Sequence, residues 1–226
     1  MNAVDRRGVI GVSAAALAAA GVTPATAQSN STNSVIAARK CLVIGPAGEL
    51  ADAIVKDLTA AGGSAKRIHP DAASEEAYGA AIGAESPDII VNVVMPEKNG
   101  AFGDVNLAGF RMVMEATYIR TYLAMKYGIA KLRAGGGGRF ITVTSNAGKR
   151  GAAGAVAATA ATNGVMQMTR CAALNCAAKD DNVRVNTLMV GAGNAAEIAS
   201  AVTFLASEAA IFYTGILLQL DDGAMS

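Results

Sequence analysis

From residue 40 onward, short apolar runs alternate with stretches whose apolar residues recur every three or four positions. Lys40–Ile44 is one such run and stops at Gly45; an unbroken apolar segment of that length suits a strand covered on both faces. Glu49–Ala61 carries Leu50, Ile54, Val55 and Leu58 at helical spacing, with Gly62-Gly63 as its stop. Ser64–Ile68 predicts a weaker second strand. Ser74–Ile82 opens Ser74-Glu75-Glu76 and predicts a helix with a hydroxyl cap and early acids. Asp88–Val94, Phe140–Val143, Val183–Val190 and Ile216–Leu220 predict further strands, and Phe110–Leu132, Gly154–Lys179 and Ala195–Ser207 predict helices. Strands alternating with helices argue for an α/β fold whose parallel sheet is covered on both sides. Between His69 and Asp88 there is room for one helix, not for a full βαβ crossover of ~30 residues.

Composition narrows the classes. With 226 residues and 52% hydrophobic content the chain can bury one sizeable core. A net charge of +1 gives no electrostatic case for a nucleic-acid partner. The amino terminus reads separately: Arg6-Arg7, the apolar run Gly8–Val22 and Ala25-Thr26-Ala27 have the order of a secretory leader of twin-arginine type. The expected organisation is a leader over 1–27, a flexible lead-in over 28–37 and one domain over 38–226. Localisation would be periplasmic, with no stable membrane span once the leader is removed, since the apolar run falls short of ~20 residues. Cys41, Cys171 and Cys176 leave one unpaired in any disulfide scheme and read as buried, inert thiols. With His69 the only histidine, an ordinary zinc site and a Ser-His-Asp triad are both poor fits, and no metal is expected.

Four strings occur in order on the elements just described: Gly138-Arg139-Phe140-Ile141-Thr142-Val143-Thr144-Ser145, Val183-Arg184-Val185-Asn186, Phe204-Leu205-Ala206-Ser207, and Tyr213-Thr214-Gly215 before Leu220-Asp221-Asp222-Gly223. Together they resemble the short-chain dehydrogenase/reductase family over nearly all of the chain after Lys40. The resemblance implies a Rossmann-like doubly wound parallel sheet, here one strand–helix unit shorter than usual.

It also implies a nucleotide loop at Gly45-Pro46-Ala47-Gly48-Glu49-Leu50-Ala51, read as GxxGxxA through Gly45, Gly48 and Ala51. Glycines there let backbone approach a pyrophosphate at a helix N-terminus. Glu49 opposes that use, because a carboxylate competes for the same positive end. Lys66 and Arg67 stand where a ribose-binding acid would end the second strand; Lys66 or Arg67 could meet a 2′-phosphate, which would favour NADP, or both could be ordinary exposed bases. Asn92 in the third strand completes the implied nucleotide-binding set. The reading favours no bound cofactor, with NADP or NAD as the alternative.

The family's catalytic tyrosine and lysine would fall on Ala158 and Thr162, and its asparagine on Thr117; Ser145 alone remains. A phenol with an unperturbed pKa of ~10 needs a cationic neighbour to act at neutral pH, and neither alanine nor threonine supplies those functions. Val190-Gly191 stands where the family has Pro-Gly, and only Ala192-Gly193-Asn194 precedes the final helix, so the substrate lid is short. Tyr122 and Lys126, an i,i+4 pair, are the one candidate replacement, read otherwise as ordinary helix surface. The expectation is therefore an exported binding or structural protein without dehydrogenase activity, the alternative being an NAD(P)-dependent oxidoreductase loaded before export. Helices 110–132 and 154–179 are expected to mediate a homodimer or heteromer.

Overall fold

The computed structural model describes residues 35–96 and 100–223; the leader and most of the lead-in lie outside them. In chain order the elements are β1 (Lys40–Ile44), α1 (Glu49–Ala60), β2 (Ser64–Ile68), α2 (Glu75–Gly83), β3 (Ile89–Val94), α3 (Leu107–Met114), a π-helical turn (Glu115–Ile119), α4 (Arg120–Ala134), β4 (Gly138–Ser145), α5 (Ala147–Arg150), α6 (Val156–Lys179), β5 (Val183–Val190), α7 (Ala195–Ala206) and β6 (Leu217–Leu220). All six strands pair in parallel, in the order β2-β1-β3-β4-β5-β6. The chain runs outward from β1 to β2, then crosses back to β3 on the other side of β1. The strand order reverses at that point, and an open α/β sheet has a crevice there at the carboxyl ends of its strands.

Both faces of the sheet are buried, and the pleat divides the apolar residues between them. Cys41 and Val43 of β1, with Ile89 and Val91 of β3, pack against Ile54 and Leu58 of α1 and Val202 and Leu205 of α7. Leu42 and Ile44, with Ile90 and Phe140, face Tyr78 and Ile82 of α2 and Leu132 of α4 on the opposite side. That two-sided burial is why β1 and β3 read as unbroken apolar runs. Gly128 brings α4 onto this layer: a Cβ there would meet Ile90 Cδ1 and Phe140 Cε2 at 2.9 Å.

Local capping explains the starts of α2, α3 and α7. Ser74 Oγ accepts from Ala77 N at 3.2 Å and starts α2. Asn194 Oδ1 accepts from Ala196 N and Glu197 N while Glu197 Oε2 accepts from Asn194 N, a reciprocal box at the head of α7. The expected single helix 110–132 needs correction. It starts earlier, because Asn106 Oδ1 accepts from Gly109 N at 2.8 Å, and it is interrupted by the π turn at Glu115–Ile119. Among the described residues no helix is long and apolar enough to cross a membrane.

Candidate active site

The carboxyl edge of the sheet carries two adjoining cavities, with Pro96 lining both. The first, about 430 Å³, lies at the β1/β3 reversal and is bounded by Ile44, Gly45, Pro46, His69, Asn92 and Arg120 among others. Gly45 is held there by packing, since a Cβ would meet Val93 O at 2.9 Å. Gly48 is different: a Cβ would meet nothing within 4 Å, and α1 begins at Glu49 with no side-chain cap. The unpaired amides of a first helical turn beside an open glycine can receive an anion.

The other residues expected to hold nucleotide are placed less uniformly. Ala51 is buried in the core under the turn. Arg67 Nε lies 3.7 Å from Asp52 Oδ1, so it offsets an acid in the first turn of α1. Lys66 is turned away to Glu85, 2.5 Å from Oε1. Asn92 is buried, donating from Nδ2 to Thr121 Oγ1 at 3.2 Å; Thr121 Oγ1 in turn donates to Thr117 O at 2.6 Å. That chain ties β3 to the π turn, so Asn92 shapes the cleft wall. Its partner Thr121 was not singled out in the sequence, nor was Arg120, which donates to Pro70 O at 2.8 Å. Partial burial, then the charges of Arg120 and Arg67, lower the His69 pKa below the ordinary imidazole value. These residues fit a dinucleotide: an open glycine turn and a bare helix start for the phosphates, with Asp52 neutralised by Arg67. Exposed Glu49 is a charge that opposes a phosphate there.

The second cavity, about 350 Å³, is lined by Ser145, Asn146, Arg150, Ala155, Ala158 and Gly191 among others. Ser145 closes β4, and its Oγ accepts from Ala147 N at 3.2 Å; the hydroxyl proton is left to donate. Ala158 borders the same space. Thr162, one turn on, is fully buried and donates from Oγ1 to Ala158 O at 2.7 Å. The short helix α5 rests directly upon it, as a Cβ on Gly148 would meet Asn163 N at 2.3 Å and Thr162 Oγ1 at 2.6 Å. Asn163 Nδ2 reinforces this contact by donating to Gly148 O at 2.9 Å.

Tyr122 and Lys126 line neither cavity. Lys126 Nζ pairs with Glu75 Oε2 at 2.8 Å and Tyr122 is exposed, so the structure does not bring this pair to the site. Tyr118 is spent on packing: a Cβ on Gly164 would meet its Cε2 at 2.6 Å.

A family model described as enoyl-(acyl carrier protein) reductase, of the short-chain type, matches residues 18–193. The chain belongs to the short-chain dehydrogenase/reductase family. It is similar to cis-4-hydroxycyclohexanecarboxylate dehydrogenase from Sinomonas cyclohexanicum, 28% identical over 91% of this chain and 93% of that protein. It is also similar to cyclohexanol dehydrogenase from Acinetobacter sp. strain SE19, 26% identical over 74% of this chain and 77% of that protein. Among solved structures, an oxidoreductase of the same family from Burkholderia thailandensis superposes with a TM-score of 0.75, covering 83% of this chain and 93% of its own at 21% identity. That last likeness shows the fold, a six-stranded parallel Rossmann-like sheet.

Relatives named as working dehydrogenases overturn the expectation of an exported binding or structural protein without dehydrogenase activity. That expectation treated the residues at 158, 162 and 117, with the short loop after β5, as loss of the reaction, whereas the cleft at the β1/β3 reversal and the serine at the end of β4 border adjoining cavities. The expectation of no cofactor finds no support, since members of this family use NAD(P), which agrees with the alternative of NADP or NAD.

Proposed function

We propose that the chain is an NAD(P)-dependent oxidoreductase interconverting a secondary alcohol on an alicyclic ring and its ketone. The observation that carries this reading is the adjacency of the two cavities. Ser145 faces a substrate-sized space that shares Pro96 with the cleft at Gly45 and Pro46. The alicyclic substrate follows from the two relatives, one named for a hydroxycyclohexanecarboxylate and the other for cyclohexanol.

Each part of the site then has a task. The amides at the start of α1 take the phosphates, with Arg67 muting Asp52. A bound nicotinamide supplies the hydride acceptor or donor. Ser145 donates a hydrogen bond to the substrate oxygen and fixes its position. The family's tyrosine–lysine pair is lacking, since Ala158 and Thr162 hold those positions. The hydroxyl proton therefore leaves to solvent without a paired phenol to receive it. General-base catalysis is worth about 10²–10⁴-fold, so turnover is slow at neutral pH and quickens as pH rises.

The test is nucleotide binding, followed by initial rates. NAD or NADP is expected to raise the Tm, and cyclohexanol or 4-hydroxycyclohexanecarboxylate to reduce it, read at 340 nm. The rate should climb about tenfold per pH unit from 7 to 9, with no plateau. Absence of both stabilisation and turnover with either nucleotide overturns the reading.

A further inference from the structure

Asn146 leads into α5, and a side chain of its kind at a helix start ordinarily accepts from the amides of the first turn. Here it does not cap. Ser145 Oγ takes Ala147 N instead, at 3.2 Å. The backbone of Asn146 is held at both ends, its N–H donating to Val190 O at 3.0 Å and its carbonyl accepting from Lys149 N at 3.0 Å. That frame lays the amide across the end of β5. A Cβ on Gly191 would meet Asn146 Nδ2 at 2.0 Å and Cγ at 2.7 Å, so glycine there makes room for the amide and serves no positive φ. The side chain borders the substrate cavity together with Ser145. Among the described residues neither Oδ1 nor Nδ2 makes a hydrogen bond, and neither is sealed from the cavity.

We infer that Asn146 determines substrate specificity: its amide recognises a second hydroxyl on the ring, so that the substrate class is an alicyclic diol. This deepens the proposed function and rests on it for the reaction, though not for the binding. An amide carries donors and an acceptor side by side, and a hydroxyl is the uncharged group that answers both. Ser145 closes β4, while the amide lies over the end of β5. Neighbouring strands are about 4.8 Å apart, a spacing that suits oxygens set across the ring better than oxygens on adjacent carbons. The wall of Pro96, Ala155 and Ala158 is apolar, so an entering ring displaces water from the amide. With a mono-alcohol the amide loses that water and gains no partner; with a diol it is paired again. Arg150 of the same cavity has a contact of its own and takes no part in this selection.

The test is the Kd for cyclohexane-1,4-diol and for cyclohexanol, measured by ligand-observed NMR without nucleotide in wild type, Asn146→Ala and Gly191→Ala. N146A removes the amide, whereas G191A keeps it in the chain and puts a methyl where it lies. Wild type is expected to bind the diol about tenfold more tightly than cyclohexanol, beyond the statistical advantage of two equivalent hydroxyls. Both variants should lose that preference, with cyclohexanol binding moved less than about twofold. A preference that survives either substitution overturns the inference. So does an equal loss for both ligands, which marks a merely structural role, or a wild type that does not prefer the diol. Loss of the preference in both variants, with no nucleotide reduced by either alcohol, upholds the inference and overturns only the redox reading.

Discussion

Burial decides what the three thiols can do. Cys41 is 3% exposed, and burial, helped by the charge of Asp88, pushes its pKa up to about 12. Cys176 is also buried, and its pKa is raised for the same main reason. Cys171, expected to be buried with them, is instead exposed. It sits on the outer side of α6, five residues from Cys176, which on a helix is more than a full turn and a change of face. Since the thiolate is the reactive form, native protein at pH 8 should react with Ellman's reagent at one thiol per chain, and at three after denaturation. Cys171→Ser should remove the native reaction. Two fast thiols in the native protein would show that the core opens at Cys41 or Cys176. The same residue scale limits what position 162 can hold. Thr162→Lys would force an ammonium chain into the space under Gly148, and overpacking of that kind costs about 1–3 kcal/mol. Chemical denaturation should show that loss, and the smaller Thr162→Ser should show much less.

Among the elements, α7 shows how a short loop can be sharp. Its box of Asn194 and Glu197 satisfies amides that would otherwise face solvent, so Asn194→Ala is expected to lower stability by about 1 kcal/mol, measured by urea midpoint at unchanged m. Strand positions were legible because each central strand is apolar on both faces, and the missing strand–helix unit was legible in the spacing between His69 and Asp88. The π turn was not. Glu115-Ala116-Thr117-Tyr118-Ile119 contains no proline or glycine, and one extra residue in a helical turn leaves the apolar period almost unchanged. Its partner on the sheet, Asn92 through Thr121, joins residues 29 apart, a pairing no local pattern encodes. The places of Gly45 and Ser145 beside the two cavities were readable from motifs. That of Asn146 was not, because its amide reaches the cavity through the room that Gly191 leaves after β5.

Across the whole molecule, chemistry and anchoring occupy opposite edges of the sheet. The carboxyl edge holds both cavities, and the amino edge holds an ionic cluster that ties the chain's early and late segments together. Arg139 of β4 and Arg184 of β5 are register partners. Arg139 pairs with Glu208, which also lies 3.5 Å from Arg39 NH2. Arg184 donates to Ala210 O at 2.6 Å and Ser207 O at 3.3 Å, and burial, then the charge of Arg139, lowers its pKa to about 10. The hydrogen bond and charge of Arg139 hold the Glu208 carboxyl below its ordinary value of 4.5. A carboxylate whose pKa is lower in the folded state stabilises that state above the unfolded value, and the contribution disappears as pH falls through the folded one. Glu208 is 60% exposed, so solvent screening keeps its share to about 1 kcal/mol or less. Arg139 is nearly buried with an unpaired Nε, and among the described residues no other acid lies as close. Glu208→Gln should therefore lower the Tm at pH 7, and the gap from wild type should shrink as pH is taken from 5 to below 4. A gap that stays constant over that range would mean the glutamate acts through packing, and that the amino edge is not held by charge.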